Sequence, residues 1–331
     1  MVTCIEDNIY RINVGLPQSP LKNINAYVIK GEKENLLIDT GYRRDECLWD
    51  LMTGLQELGV SMDNTDIFLT HMHSDHCGLA PDIIRPGRKI FISSEDGPRL
   101  MGFGKPEAWQ NTIKLGLRLG FSPEEMEIID KSNMKTQAPV YYEDYTLLDD
   151  GAVLHYGGRD LKMIITPGHT PGHACLWDNA NRVMFLGDEV LFDITPNITT
   201  SRNFPDPLGH YIYSLLDISG YPIRLALPAH RSLKGSVADR IGSIIEHHGV
   251  RVREVLEILD KHPGETPYNL AGYMSWNIKT RGGWKTFPIQ QKWFAVNEGK
   301  AHLEYLMSRE RARLEVREDG VETFYSTDHH K

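Results

Sequence analysis

Residues His71-Met72-His73-Ser74-Asp75-His76 place three imidazoles and a carboxylate within six positions. Neutral imidazoles and carboxylates are the donors that zinc and similar divalent cations accept. Ahead of them, Asp66-Ile67-Phe68-Leu69-Thr70 is a short run rich in apolar strand formers; behind them, Cys77-Gly78-Leu79-Ala80-Pro81 reads as a turn leading into a helix. The stretch is therefore expected to be a ligand-bearing loop at the end of a buried strand. In an extended loop His71 and His73 project the same way, because side chains alternate with period two. Asp75 and His76 follow where the loop turns, so they can face a second ion.

Three more candidate ligands each follow an apolar run directly. His169 stands in Thr166-Pro167-Gly168-His169 after Lys162-Met163-Ile164-Ile165, Asp188 in Gly187-Asp188 after Val183-Met184-Phe185-Leu186, and His230 in Pro228-Ala229-His230 after Arg224-Leu225-Ala226-Leu227. Loops held on a rigid sheet are where functional side chains gather.

The elements that must position these groups follow from the hydrophobic pattern. Strands are expected at 9–15, 25–30, 36–41, 66–70, 89–92, 153–156, 162–165, 174–177, 183–186 and 224–227. Leu48, Leu51, Met52, Leu55 and Leu58 form the stripe of a helix over 45–58. Strand and helix alternate, with hairpins at the start, which is an α/β pattern. Residues 97–150 break the rhythm and read as a helical insertion, with Ser122-Pro123-Glu124-Glu125 as a capped helix start. Lying between the histidine-rich loop and the next ligand, the insertion is a candidate lid, and equally a helix packed on the outside. Helical spacing then runs from 236, with further helices at 266–276 and 289–307. A hairpin turns at Glu318-Asp319-Gly320. The expected division is 1–240 and 241–331, the second part a small winged-helix-like domain.

As a set, His71, His73, Asp75, His76, His169, Asp188 and His230 resemble the metallo-β-lactamase-fold hydrolases, which include glyoxalase II, lactonases and lactamase-β-2-like proteins. The HxHxDH motif and the remote ligands stand in the family's order over about residues 9–235. The resemblance implies a four-layer αββα sandwich. It also implies a first metal on His71, His73 and His169, a second on Asp75, His76 and His230, and Asp188 bridging both. It implies two divalent ions per chain, zinc before iron or manganese. Two such ions about 3.5–4 Å apart share a hydroxide and lower its pKa towards neutrality. The expected reaction is hydrolysis of a small-molecule ester, thioester or lactone, with Asp75 orienting the nucleophile or carrying a proton to the leaving group. Asp39, in Ile38-Asp39-Thr40-Gly41, resembles the family's aspartate behind the ligands. His173, in a second Pro-Gly-His, is expected to brace the His169 loop by hydrogen bonding. The 251–256 and 297–306 stretches resemble, more loosely, the C-terminal domain of the lactamase-β-2-like proteins.

Secondary candidates are His210 and Tyr211 as pocket lining, and Phe103, Trp109 and Leu115 to Leu119 as an apolar wall for an acyl chain. Cys77 reads as a small buried residue, and His247 and His248 as structural. The alternative function is a metal-dependent nuclease acting on RNA, since a two-metal hydroxide also serves phosphodiesters. Charge argues against it. Net charge is -9, and from Glu246 to Lys331 there are 13 basic and 13 acidic residues, so that part is neutral and the rest is acidic. Tracking phosphates requires a basic surface. Apolar content of 40% and charged content of 24% are those of a globular protein. Cys4, Cys47, Cys77 and Cys175 have no paired metal or redox spacing, and Met1 to Ile12 lacks the apolar core of an export signal. The expectation is a cytoplasmic protein without membrane segments, a homodimer being left open.

Overall fold

A computed structural model describes residues 1–103, 105–132, 139–277 and 281–327; His329 and His330 lie outside the described residues. Two compact units emerge. One holds Met1–Lys105, Gln137–Pro196 and Ser214–Ile241, the other Pro106–Thr136, Asn197–Tyr213 and Gly242–Lys331.

The first unit is built on two sheets. Strands β1 (Val2–Glu6), β2 (Ile9–Gly15), β3 (Asn23–Ile29), β4 (Asn35–Ile38), β5 (Thr65–Phe68), β6 (Ile90–Ser93) and β7 (Tyr145–Leu148) form one sheet in that order. Antiparallel pairing from β1 to β4 gives way to parallel pairing from β4 to β7. The second sheet has the order β12 (Leu225–Pro228), β11 (Val183–Gly187), β10 (Ala174–Asp178), β9 (Arg159–Ile165), β8 (Val153–Tyr156), with only β11 and β12 parallel. Strands β4, β5 and β6 are buried throughout, as parallel strands covered on both faces must be. β8 alternates, with Leu154 and Tyr156 turned in and Val153 and His155 out, because only one of its faces is covered.

Apolar side chains join the two sheets. Ile9, Tyr27, Ile29, Leu36, Ile38, Phe68 and Phe91 of the first pack with Leu161, Met163, Leu176, Phe185 and Leu227 of the second. On the other face of the first sheet, α1 (Asp45–Glu57) lays Cys47, Leu51 and Leu55 onto Ile12, Val14 and Ile24. The stripe expected for that helix is the face that does this. Short helices α2 (Ser74–Cys77) and α3 (Ala80–Ile83) follow β5, and α4 (Asp96–Phe103) follows β6.

Residues 97–150 are not a single insertion. Helix α4 and the segment leading to β7 belong to the first unit. Helices α5 (Pro106–Leu119) and α6 (Pro123–Asp130) belong to the second. There Leu119, Phe121, Met126 and Ile129 share a core with Ala271 and Val296, so the apolar face of this pair is buried against helices remote in sequence. Ser122 caps α6 as the capping box predicts, its hydroxyl accepting from Glu125 N and its own N–H donating to the Glu125 carboxylate. The unit takes in most of α7 (Pro207–Ser219) and of α8 (Val237–Lys261), then α9 (Pro267–Tyr273), α10 (Ile289–Met307) and the hairpin β13 (Ala312–Val316) with β14 (Glu322–Ser326).

No described helix is long and apolar enough to cross a membrane.

Candidate metal centre

Register decides where the ligands fall. Ile38 pairs with Phe68, and Phe68 with Phe91, so β4 and β5 end level and β6 runs two residues further in the same direction. Asp39, Thr70 and Asp96 emerge along that one edge. In the other sheet Gly187 pairs with Pro228, which sends Asp188 and His230 off neighbouring parallel strands side by side. His169 lies on the loop between β9 and β10, closed at its base by Thr166 N–H donating to His173 O at 2.8 Å. Two backbone bonds tie the sheets at the site: Ala174 N–H to Thr70 O at 2.8 Å, and Asn25 N–H to Ala229 O at 2.6 Å.

All seven candidate ligands come together. Donor atoms lie within 4.8 Å of one another in each of three groups: His71, His73 and His169; His71, His76 and Asp188; Asp75, His76 and His230. His71 and His76 each occur twice, so the groups form one continuous centre. His230 Nε2 is 3.4 Å from both Asp75 Oδ2 and Asp188 Oδ1, and His169 Nε2 is 3.4 Å from Asp188 Oδ2. Every member except the half-buried His73 is buried.

Behind the donors, hydrogen bonds fix which ring nitrogen faces inward. His76 Nδ1 donates to Asp39 Oδ2 at 2.7 Å, and His230 Nδ1 to the Asn23 carbonyl at 2.7 Å. Each therefore presents the lone pair of Nε2 to the centre, the arrangement a cation needs. Asp39 also accepts from Thr70 N–H and Thr70 Oγ1. Its φ of 59° is a conformation that non-glycine residues seldom adopt, and the three hydrogen bonds hold it there. His173 Nε2 accepts the Asp188 backbone N–H at 3.0 Å, and Nδ1 lies 2.7 Å from Thr166 Oγ1. Gly187 permits this: its φ is +51°, and a Cβ there would come within 2.6 Å of His173 Nε2.

The donors fit divalent metal. Burial, reinforced by neighbouring imidazoles, pushes His71 well below its ordinary pKa and His73 down to about 3. Burial opposes charge on His76 and His230 too, but Asp188, Asp75 and, for His76, Asp39 outweigh it and raise both. Burial would raise Asp75, yet His76 and His230 hold it down at about 2. The same imidazoles keep Asp188 well below the carboxylate range against its burial. The neutral imidazoles of His71 and His73, beside the ionised carboxylates of Asp75 and Asp188, make a donor set that suits a cation. Asp188 Oδ1, moreover, has no hydrogen-bond partner among the described residues.

One group has no sequence motif. Asp96, wholly buried at the start of α4, accepts from Met72 N–H at 3.1 Å, Thr170 Oγ1 at 2.6 Å and Gly172 N–H at 2.7 Å. It ties the 71–76 loop to the 169–173 loop. Burial pushes its pKa up to about 6 despite these donors. The available signal was position, a carboxylate just past the end of a buried strand.

Other candidates lie elsewhere. His210 stacks on Phe204, and Tyr211 packs against His248 in the second unit; neither joins the cluster. The Trp109 indole donates to Asp130, between α5 and α6. Cys77 is buried, its thiol directed at Met72 O.

Residues 20–230 match the family model of the metallo-beta-lactamase superfamily. The lactamase-like protein aptB of Emericella nidulans is 24% identical over 265 residues, covering 79% of this chain and 68% of the relative. An atrochrysone carboxyl ACP thioesterase of the same organism is 25% identical over 246 residues, covering 74% and 64%. The match thus spans about two thirds of these curated relatives' length. A metallo-beta-lactamase family protein from Thermus thermophilus superposes with a TM-score of 0.80 at 27% identity, covering 96% of this chain and 98% of that one. The chain belongs to the metallo-beta-lactamase superfamily, and it is a hydrolase.

Proposed function

We propose that this protein is a dinuclear metal-dependent hydrolase of small acyl compounds: thioesters first, with esters and lactones in the same class. The observation that carries the reading is the continuity of the three donor groups through His71 and His76, with Asp188 between them. His71, His73 and His169 would hold one ion, Asp75, His76 and His230 the other, and Asp188 both. Zinc suits this donor set, and iron or manganese accept the same groups. When bound, such ions supply Lewis acidity, making water nucleophilic at neutral pH and polarising the acyl carbonyl.

The chain's own residues do the rest. Asp75 is ionised and lies 3.4 Å from His230 Nε2, placed to orient the attacking water and pass its proton to the departing thiolate or alkoxide. Asp39 keeps His76 in one tautomer, and the Asn23 carbonyl does so for His230. The thioesterase named among the relatives supports the choice of thioester. We read the first unit as the four-layer αββα sandwich, from its two facing sheets and α1 outside them, and the C-terminal helices and hairpin as winged-helix-like. The four cysteines are free in the structure, which supports a reducing, cytoplasmic setting.

The test is metal analysis of the purified protein together with a hydrolysis panel. The panel holds a thioester, an acyl-homoserine lactone, an aryl ester, bis(p-nitrophenyl) phosphate and a short RNA, each with wild type and Asp75→Asn. Two metals per chain and Asp75-dependent acyl cleavage are expected. Cleavage of RNA or phosphodiester alone would replace this reading with the nuclease. One metal or none, without turnover, would sink it.

A further inference from the structure

Strand β12 ends at Pro228, and the chain must then turn so that His230 faces the centre. Ala229 is held on both sides: its N–H donates to Gly187 O at 2.9 Å, and its carbonyl accepts from Asn25 N–H at 2.6 Å. Beyond it the backbone leaves β12, and Arg231 takes a left-handed φ of 58°, which is unfavourable for a residue with a side chain.

One buried side chain spans this turn. Asn25, on β3, is 1% exposed. Its Nδ2 lies 3.0 Å from the Pro228 carbonyl and 3.3 Å from the Arg231 carbonyl. A carbonyl only accepts, so the end of the amide turned to both must be its NH2, whose two hydrogens match the two oxygens. The amide oxygen faces the other way and accepts from Asn23 Nδ2 at 3.3 Å. Asn25 thus bridges the carbonyl two residues before His230 and the one directly after it. The Pro228 carbonyl has a second donor, the Tyr27 hydroxyl at 2.7 Å. Among the described residues, the Arg231 carbonyl accepts from Asn25 alone.

We infer that Asn25 is a positioning residue: its side-chain amide shapes the turn after β12 and so aims His230 at the centre. Without the bridge Arg231 is free to leave the left-handed conformation, and His230, one residue earlier, turns with it. His71, His73 and His169 stand on other loops, so the loss should fall on the ion that His230 would hold. The placement of His230 stands on hydrogen-bond geometry alone; its consequence for a second ion rests on the dinuclear hydrolase reading.

Two readouts test it separately. Metal-free, full-length protein with ¹⁵N-labelled histidine shows whether His230 moves. Its Nδ1 proton, held by the Asn23 carbonyl, should exchange slowly with water in wild type and roughly tenfold faster in Asn25→Leu. The Nδ1 proton of His76, held by Asp39, should keep its wild-type rate. Zinc titration then reads the consequence. Wild type should take two ions; Asn25→Leu should keep one and bind the second roughly 10–100-fold more weakly. In a His230→Ala background, where the ligand is already gone, Asn25→Leu should weaken zinc binding no further. Tyr27→Phe removes the other donor to the Pro228 carbonyl but spares the bridge, and should retain both ions. Should Asn25→Leu fail to fold, Asn25→Ser carries the same expectations, since one hydroxyl hydrogen cannot serve two carbonyls. Wild-type exchange at His230 in a folded Asn25 variant would overturn the inference. So would equal weakening of both ions, further loss in the His230→Ala background, or the same loss in Tyr27→Phe. A wild type that takes up one zinc or none counts against the dinuclear reading, while the exchange rates decide this one.

Discussion

Asp96 shows how much a single carboxylate can organise. It has three hydrogen-bond donors from two loops that each carry candidate ligands, and no solvent. Replacing it by alanine strands two buried N–H groups, each costing about 1–3 kcal/mol. Asp96→Ala should therefore lose roughly 2–4 kcal/mol in urea unfolding and bind less metal by elemental analysis. Asp96→Asn keeps one acceptor oxygen and should lose less. The seven donors were legible because their types and order form a set. Asp96 and Thr70 were not, because lone residues carry no spacing, and their roles arise only when remote loops meet. His173 was visible as a brace for its loop, but its hold on the Asp188 backbone lies in register and not in the motif.

Among the elements, those with an internal pattern could be read. The stripe of α1, the capping box of α6 and the strands leading to each donor all follow from local chemistry. Asp96-Gly97-Pro98 looks like a turn, which hid α4. β1 and β7 lie at the edges of their sheet, where partial exposure weakens the pattern. The grouping of α5 and α6 with Ala271 and Val296 is a long-range packing choice that no local pattern records. Two predictions belong here. Ser122→Ala removes the cap of α6 and should lower stability by about 1 kcal/mol in thermal or chemical unfolding. Gly187→Ala combines positive φ with a clash at His173 Nε2, and should cost roughly 1–3 kcal/mol and reduce bound metal.

At the scale of the molecule, stability should depend on pH through the second unit. Glu298 on α10 is half-buried, with Arg251 Nε 3.9 Å away. Burial pushes its pKa up to about 7, partly offset by Arg251 and reinforced by Glu254. A raised folded-state pKa means that its contribution is whole below the unfolded value of about 4.3 and is lost as pH rises through about 7. Thermal melts should show wild type losing on the order of 2–3 kcal/mol between about pH 4.5 and 7.5 from this group. Glu298→Gln should remove that part of the slope; an unchanged slope would show that Glu298 titrates normally.

The bonds that seat His230 join β3, near the start of the chain, to the end of β12. Asn25 and Tyr27 both reach the Pro228 carbonyl across some two hundred residues. Contacts so remote in sequence are slow to form, because a long loop must close before they stabilise anything. A nascent chain therefore cannot complete this centre until the polypeptide has been made as far as His230. Cation capture then becomes a report that both sheets have closed, and it belongs to the last stage of folding.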